Sequence, residues 1–548
     1  MEDVLQELRK KEEEELARRL AQKHGIPYLD LARATVDLDS LRIIPEKEAG
    51  ANSVAVIQSV GKKLQIVVTN PDRPGLAEVL DNLTRKKYEV QLFLVSPTSL
   101  KKAIDMYKEI PKFEEMISGT VDVSKAKLES FVATFHTIDN LKQKLAQMVR
   151  EKDTRKASDT LELLLSGALA VEASDIHVEP GVSTARIRLR LDGVLQDLVE
   201  MPHATFQLIL SRIKLISEIK LNIHDRPQDG RFTIKTKGED VEVRTSVLPG
   251  PYGESVVMRL LLSKTIEMEF EHLGMQPELF KIMQHELDRP NGMILTTGPT
   301  GSGKTTTLYT FLKKISSPEI KIITIEDPIE YHIPYVTQTQ VDAARGYDFS
   351  NGLRSILRQD PDVILVGEIR DFETAEIAMH AALTGHLVFS TLHTNNAPGT
   401  IPRLLDLGVK PNIISPAINT AMAQRLVRVL CPKCKTEEDA TDEEKKIFEK
   451  ALKEMPPVYS RPMPEKLKLW KSNKCEACNM TGYKGRIGVF EAFLITDEIE
   501  RLIINNPSES DIRKKALEQG MLTMFQDGIL KVMDGVTSFD ELNRVAAE

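Results

Sequence analysis

Gly298-Pro299-Thr300-Gly301-Ser302-Gly303-Lys304-Thr305 decides the reading of this 548-residue chain. The run follows G-x-x-x-x-G-K-[ST], the phosphate-binding loop of nucleoside triphosphatases. Gly298, Gly301 and Gly303 let the backbone bend so that its N–H groups point inward at phosphate oxygens. Lys304 can pair with the β- and γ-phosphates, and the Thr305 hydroxyl can ligate Mg²⁺. Met293-Ile294-Leu295-Thr296-Thr297 reads as a buried strand entering the loop. Thr306 to Lys314 reads as the helix leaving it, its positive N-terminal end facing the nucleotide. A chance glycine-rich turn is the competing reading, and the flanking strand and helix argue against it.

Three further apolar strands follow, each ending in polar residues. Ile322 to Ile325 runs into Glu326-Asp327-Pro328-Ile329-Glu330, Val363 to Val366 runs into Gly367-Glu368, and the last spans His386 to His393. In open α/β sheets ligands sit beyond the carboxyl ends of the strands, so these ends converge on the nucleotide. Hydrolysis of ATP needs Mg²⁺ and a group that orients the attacking water, and acids at two adjacent strand ends can fill both roles. For His386 and His393, satisfied histidines and a nucleotide-sensing role both remain open.

All four cysteines fall in two C-x-x-C pairs, Cys431-Pro432-Lys433-Cys434 and Cys475-Glu476-Ala477-Cys478. Each pair lets two thiolates point at one ion, and two pairs give the four-sulfur shell of structural Zn²⁺. A helical insert from Asp442 to Glu454 accounts for the long spacing between them. A redox pair would need only one C-x-x-C, and free buried cysteines are the plain alternative.

The length suggests three or four domains. The formal charge is −8, from 73 basic and 81 acidic residues, with no broad basic excess of the kind a nucleic-acid tracking enzyme carries. No apolar stretch is long enough to span a bilayer, and Arg212 and Lys214 interrupt the Phe206-to-Ile219 candidate, whose spacing is that of an amphipathic helix. Met1 begins a charged segment without a signal-peptide pattern, so a cytosolic chain without structural disulfides is expected. Val54 to Ile57 and Leu64 to Val68 predict a hairpin about Gly61, Asn70-Pro71-Asp72 a turn, and Gln91 to Val95 a third strand. Glu109 to Ser130, with Pro111 and Gly119, reads as linker. A second α+β region follows, with strands at Ala185–Leu191, Phe232–Lys235, Val241–Ser246 and Ser255–Leu260. The expected segments are 1–108, 109–155 (linker and helix), 156–262, an α/β core over 263–430, a cysteine subdomain over 431–480 and a helical C-terminal region over 481–548.

Four motifs carry a resemblance to a known family: the phosphate loop, Ile325 to Glu330, Asp360-Pro361-Asp362 through Glu368, and Thr384-Gly385-His386 through His393. Ser174-Asp175-Ile176-His177-Val178-Glu179-Pro180 and Gln228-Asp229-Gly230-Arg231 extend it upstream. In this set the chain resembles the secretion superfamily of hexameric ATPases, in its type II secretion and type IV pilus extension branches. Pilus retraction ATPases are shorter and lack the cysteine insert.

The resemblance implies a RecA-like P-loop ATPase core preceded by α+β domains, the second PAS-like, with a zinc-binding insert. It implies that Glu330 orients or deprotonates the water, that Glu368 holds Mg²⁺ through waters, and that Arg244 and Arg259 act as arginine fingers on the γ-phosphate. An ordinary surface arginine is the alternative for each of the last two. It further implies a homo-hexameric motor on the inner face of the cytoplasmic membrane, driving an inner-membrane platform protein through an N-terminal docking domain and adding pilin-like subunits to a fibre. Some relatives bind cyclic di-GMP in that domain; Leu16-Ala17-Arg18-Arg19-Leu20 and Gly25-Ile26-Pro27 match their longer motif poorly, so the ligand is not carried over. A nucleic-acid translocase on the same core is the alternative function, and the net acidity favours the motor, with no nucleic-acid partner expected.

Overall fold

Strands that alternate buried with half-buried residues and strands buried at every position lie in different sheets of the computed structural model. The structure describes residues 2–31, 36–41, 43–60, 62–85, 88–108, 120–122, 137–150, 156–236, 240–261 and 268–546. Gly61, Pro111, Gly119 and most of the expected joining stretch 261–271 lie outside the described residues. The chain divides into two units, Met1–Glu115 and Met116–Glu548. No helix among the described residues is long and apolar enough to cross a membrane.

In the first unit β1 (Val54–Val60) and β2 (Lys63–Val68) form the expected antiparallel hairpin. β3 (Glu89–Leu94) pairs parallel with β2 after the crossover helix Pro74–Arg85. Asn70 Oδ1 accepts from the Asp72 N–H at 3.0 Å, so the Asn-Pro-Asp signal is an Asx turn.

The second unit begins with a sheet of seven strands in the order β4-β8-β9-β10-β5-β6-β7. These are β4 (Thr120–Asp122), β5 (Asp175–Pro180), β6 (Thr184–Leu191), β7 (Val194–Pro202), β8 (Gln228–Lys235), β9 (Val241–Gly250) and β10 (Gly253–Leu261). The sequence reading lacks β4, β5 and β7, because charged residues break their apolar runs. One face packs under the helices Ile138–Arg150, Lys156–Ala170 and His203–Ile216, burying Leu141, Leu164, Ile176, Ile187, Phe206 and Val243 in one core. The stretch read as linker and helix therefore contributes both a strand and core residues to this lobe. The other face carries a transverse row in which Arg231, Arg244, Arg259, Asp175 and Arg190 stand opposite one another on successive strands.

The α/β core holds seven strands in the order β13-β12-β14-β15-β11-β16-β19. Their ranges are β11 (Gly292–Thr297), β12 (Ile322–Glu326), β13 (Val336–Gln340), β14 (Val363–Val366), β15 (Leu387–Leu392), β16 (Ile418–Leu430) and β19 (Tyr483–Leu494). All neighbours pair in parallel except β16 with β19. β11, β12, β14 and β15 are buried throughout, as expected of a parallel sheet covered on both faces. Parallel pairing brings the carboxyl ends of six strands to one edge, which is what assembles the site.

The expected insert helix occupies Asp442–Glu454, capped by Thr441, whose hydroxyl accepts from the Glu444 N–H at 3.2 Å. β17 (Thr436–Asp439) and β18 (Lys468–Lys471) complete the cysteine lobe. The C-terminal region is not helical from its start: β19 runs for 12 residues before four helices begin at Asp497. Polar residues and Gly485 and Gly488 hide this strand from periodicity, yet it buries Val489, Phe490 and Phe493.

Phe493 is 2% exposed in the core beneath β16, whereas Ile504 is 55% exposed. Phe493→Ala is expected to cost about 3–5 kcal/mol and lower the thermal midpoint by several degrees. Ile504→Ala should leave it nearly unchanged in the same circular dichroism melt.

Candidate active site

The loop between β11 and the helix Lys304–Ile315 follows an unusual backbone path. Gly298, Gly301 and Gly303 have φ of 145°, 80° and 89°, where a side chain is strained. A Cβ would also lie 2.6 Å from the Gln424 carbonyl oxygen at Gly298 and 2.8 Å from Gln424 Nε2 at Gly303. Gln424 rises from β16 and accepts from Thr307 Oγ1 at 2.8 Å, so this one buried residue backs the loop and ties down its helix. Ser302 Oγ is buried in the loop without a hydrogen-bond partner. An oxygen so placed, in a cradle that a Cβ would fill, fits a phosphate-bearing ligand.

Lys304 Nζ folds back onto the carbonyls of Gly298 and Pro299 at 2.7 and 3.1 Å. Burial holds its pKa below the usual lysine value, and the Glu368 charge opposes that shift. Thr305 is exposed at the first turn of the helix. Thr297 Oγ1, at the end of β11, accepts the Thr394 N–H at 2.8 Å, which joins the phosphate loop to the end of β15.

The two acid-bearing strand ends differ. Glu368, beyond β14, is held at 2.5 Å by Arg370 and at 3.2 Å by His393 Nε2. The hydrogen bond from Arg370 keeps its guanidinium pKa above the usual value. Glu330 lies in the turn after β12 and receives Arg244 Nη1 at 2.8 Å, while Arg244 Nη2 donates to the Ile329 carbonyl. Arg244 therefore crosses from the second α+β lobe to the core lobe within this unit. Glu326 is only 3% exposed and is enclosed by Tyr309, Thr324 and Gln338.

The other sequence candidates sit elsewhere. Arg259 donates through Nε to Asp175 at 3.1 Å, and its side chain is 55% exposed. His386 precedes β15 at the opposite edge of the sheet, beside Gly292, and its Nδ1 lies 2.9 Å from the Ala381 carbonyl oxygen. Since β11 and β15 run in parallel, about six residues at ~3.3 Å each separate His386 from the loop edge. His386 and His393, read as a pair, thus occupy opposite ends of one strand, and only His393 stands with the acids. Sequence reading missed Gln424, Arg370 and Tyr309; Gln424 shares Ile418–Leu430 with Asn419, Thr420, Arg425 and Arg428, so no sequence signal singles it out.

The four cysteine Sγ atoms lie within 4.8 Å of one another, with Cys431–Cys475 and Cys434–Cys478 at 3.8 Å and Cys475–Cys478 at 3.6 Å. A tetrahedron with Zn–S bonds of about 2.3 Å has edges of about 3.8 Å, so the spacing fits such an ion. Burial and the neighbouring thiols push the Cys434 thiol up. Burial also opposes ionisation of Cys478, but the backbone at Cys475 and Gly482 brings it down to about 7.

Residues 150–544 match the family described as Type II/IV secretion system protein, and residues 24–113 match the MshEN domain. The Type IV pilus assembly ATPase PilB of Myxococcus xanthus is 35% identical over 540 residues, covering 97% of this chain and 91% of that one. The Type II secretion system protein E of Dickeya dadantii is 37% identical over 511 residues, covering 92% and 97%. Among solved structures, the ATPase DotB of Yersinia pseudotuberculosis shares the fold with a TM-score of 0.50 and 20% identity, over 72% of this chain and 94% of that one.

Gly303→Ala combines a forbidden φ with a collision against Gln424. It is expected to weaken binding of a fluorescent ATP analogue by at least about tenfold, or ~1.4 kcal/mol. The melting curve should change little, because the loop lies outside the core.

Proposed function

The chain belongs to the Type II/IV secretion system protein family and is an ATP hydrolase, and we propose from this premise that it is the motor of a fibre-building machine. In this reading hydrolysis drives polymerisation of pilin or pseudopilin subunits in type IV pilus assembly or type II secretion. Its relatives carry both of those names, at similar identity and over nearly the whole chain. Neither name is that of a nucleic-acid translocase. The observation that carries the reading at the site is Arg244 reaching Glu330 from a separate lobe. Such a contact couples the state of the nucleotide to the arrangement of lobes, which is what a motor requires.

We assign the roles as follows. The N–H groups of Gly298 to Thr306 and the Lys304 ammonium bind the β- and γ-phosphates, Lys304 exchanging the Gly298 and Pro299 carbonyls for phosphate oxygens. Thr305 directly, and Glu368 through water, would hold Mg²⁺, which when bound offsets charge on the phosphate oxygens. Glu330 orients or deprotonates the attacking water. A carboxylate that already accepts from Arg244 has fewer lone pairs to offer water, so Arg244 must shift toward the γ-phosphate as Glu330 engages. Arg259, exposed on the neighbouring strand, is the second cation for that phosphate. His393 steadies Glu368.

Cys431, Cys434, Cys475 and Cys478 would hold a structural Zn²⁺, the closed four-sulfur shell leaving no position for substrate. Assembly is into a homo-hexamer on the inner face of the cytoplasmic membrane. There the N-terminal domain docks and the ring acts on a platform protein.

Two measurements test this reading. Glu330→Gln is expected to keep nucleotide affinity while slowing hydrolysis by on the order of 10² or more. Normal turnover in that variant would remove Glu330 from the mechanism. Protein purified without chelator should contain about one zinc per chain by elemental analysis; four freely titratable thiols and less than about half an equivalent of zinc would reject the site.

A further inference from the structure

Tyr309 belongs to the helix that leaves the phosphate loop, yet its hydroxyl serves the acidic turn on the neighbouring strand. It is 2% exposed. The hydroxyl donates to Glu326 Oε2 and accepts the Glu330 N–H at 3.3 Å. The ring meets Tyr331 edge-on, with centroids 4.6 Å apart. Burial, followed by the Glu326 charge, raises the phenol pKa well above its usual value, so the group stays a proton donor throughout the physiological range.

Glu326 explains why the hydroxyl cannot turn away. Its buried carboxylate is also satisfied by Thr324 Oγ1 at 2.5 Å and Gln338 Nε2 at 3.2 Å. These are neutral donors from the same sheet, and removing one leaves a buried anion short of a partner, which is costly. Gln338 also fastens the turn, accepting the Ile333 N–H at 2.8 Å and donating to the Tyr331 carbonyl at 3.1 Å. One oxygen atom thus lies between the helix that starts at Lys304 and the backbone of Glu330.

We infer that Tyr309 is a positioning residue for hydrolysis, its hydroxyl fixing the Glu330 backbone against the phosphate-loop helix so that the Glu330 carboxylate meets the water at the right distance. Misplacement of a reacting group by about 1 Å can cost on the order of a hundredfold in rate. This inference rests on the proposed role of Glu330. It adds a further residue of the loop helix, one turn beyond Lys304 and Thr305, to the site.

The experiment is a double-mutant cycle on the full-length chain, reading ATP hydrolysis and binding of a fluorescent ATP analogue. Tyr309→Phe alone should lower kcat by about tenfold or more and leave KM and analogue affinity within about twofold. In a Glu330→Gln background the same change should lower kcat by less than about twofold, because the group it positions is already disabled. Equal losses in both backgrounds, or an unchanged kcat in Tyr309→Phe, would overturn the proposal while leaving Glu330 in place. Normal turnover in Glu330→Gln would instead overturn the role of Glu330, and this inference with it. Should Tyr309→Phe lower the melting midpoint, Tyr309→Phe with Glu326→Leu removes the buried carboxylate together with its donor and is read by the same criteria.

Discussion

The glycine-rich loop Gly298 to Lys304 is held in shape chiefly by what packs behind it, and the candidate site depends on that support. Inside the loop the Ser302 N–H donates to the Pro299 carbonyl at 3.3 Å, and in the proposed reading the remaining N–H groups are left for a ligand, which limits the bonds that can stiffen it. Rigidity comes instead from behind. Gln424 closes against Gly298 and Gly303 and bonds Thr307, while Thr297 ties the end of β11 to Thr394. Both supports come from strands that flank β11, one on each side. The order of the sheet therefore positions the loop as much as the loop's own glycines do.

Charge is arranged around this loop so that each group is partly engaged. Glu368 is shared between Arg370 and His393, Glu330 is held by Arg244, and Lys304 rests on carbonyl oxygens. None of these contacts is deeply buried on both sides, and partly exposed ion pairs are worth little in stability. Their significance lies in being exchangeable. In the proposed reading a triphosphate would compete for Lys304 and Arg244 together, and that exchange would link ligand binding to the contact between lobes. Glu326 is the contrast: fully enclosed by neutral donors, it acts as a fixed post in the turn that carries Glu330.

The C-terminal third is woven back into the core. β19 closes the sheet antiparallel to β16, and Asp527 of the helix Met524–Met533 accepts the Phe490 N–H at 2.8 Å. The cysteine lobe shares Phe448, Leu469, Ile529 and Leu542 with the last helices in a single apolar cluster. Lys435, next to the second cysteine, lies 4.4 Å over the Trp470 ring and donates to the Gly535 carbonyl at 2.8 Å. The four sulfurs therefore sit on a braced platform, which suits a structural ion.

The sequence by itself determined the local features, because local residues make them. The phosphate loop, its flanking strand and helix, the hairpin beginning at Val54, the capped helix Asp442–Glu454 and the paired cysteines were all legible from spacing and residue type. Strands β4, β5, β7, β13, β16 and β19 went unread, since mixed polarity or length masked a period of two. The tertiary structure alone decided which strand ends meet. It separated His386 from His393 by the length of β15, brought Arg244 to Glu330 across 86 residues, and set Gln424 beneath a loop 117 residues from its partner Thr307. Hydrogen bonds at such separations leave no periodic trace in a chain, because they depend on strand order and on the faces that pack, and those are fixed only when the whole sheet forms.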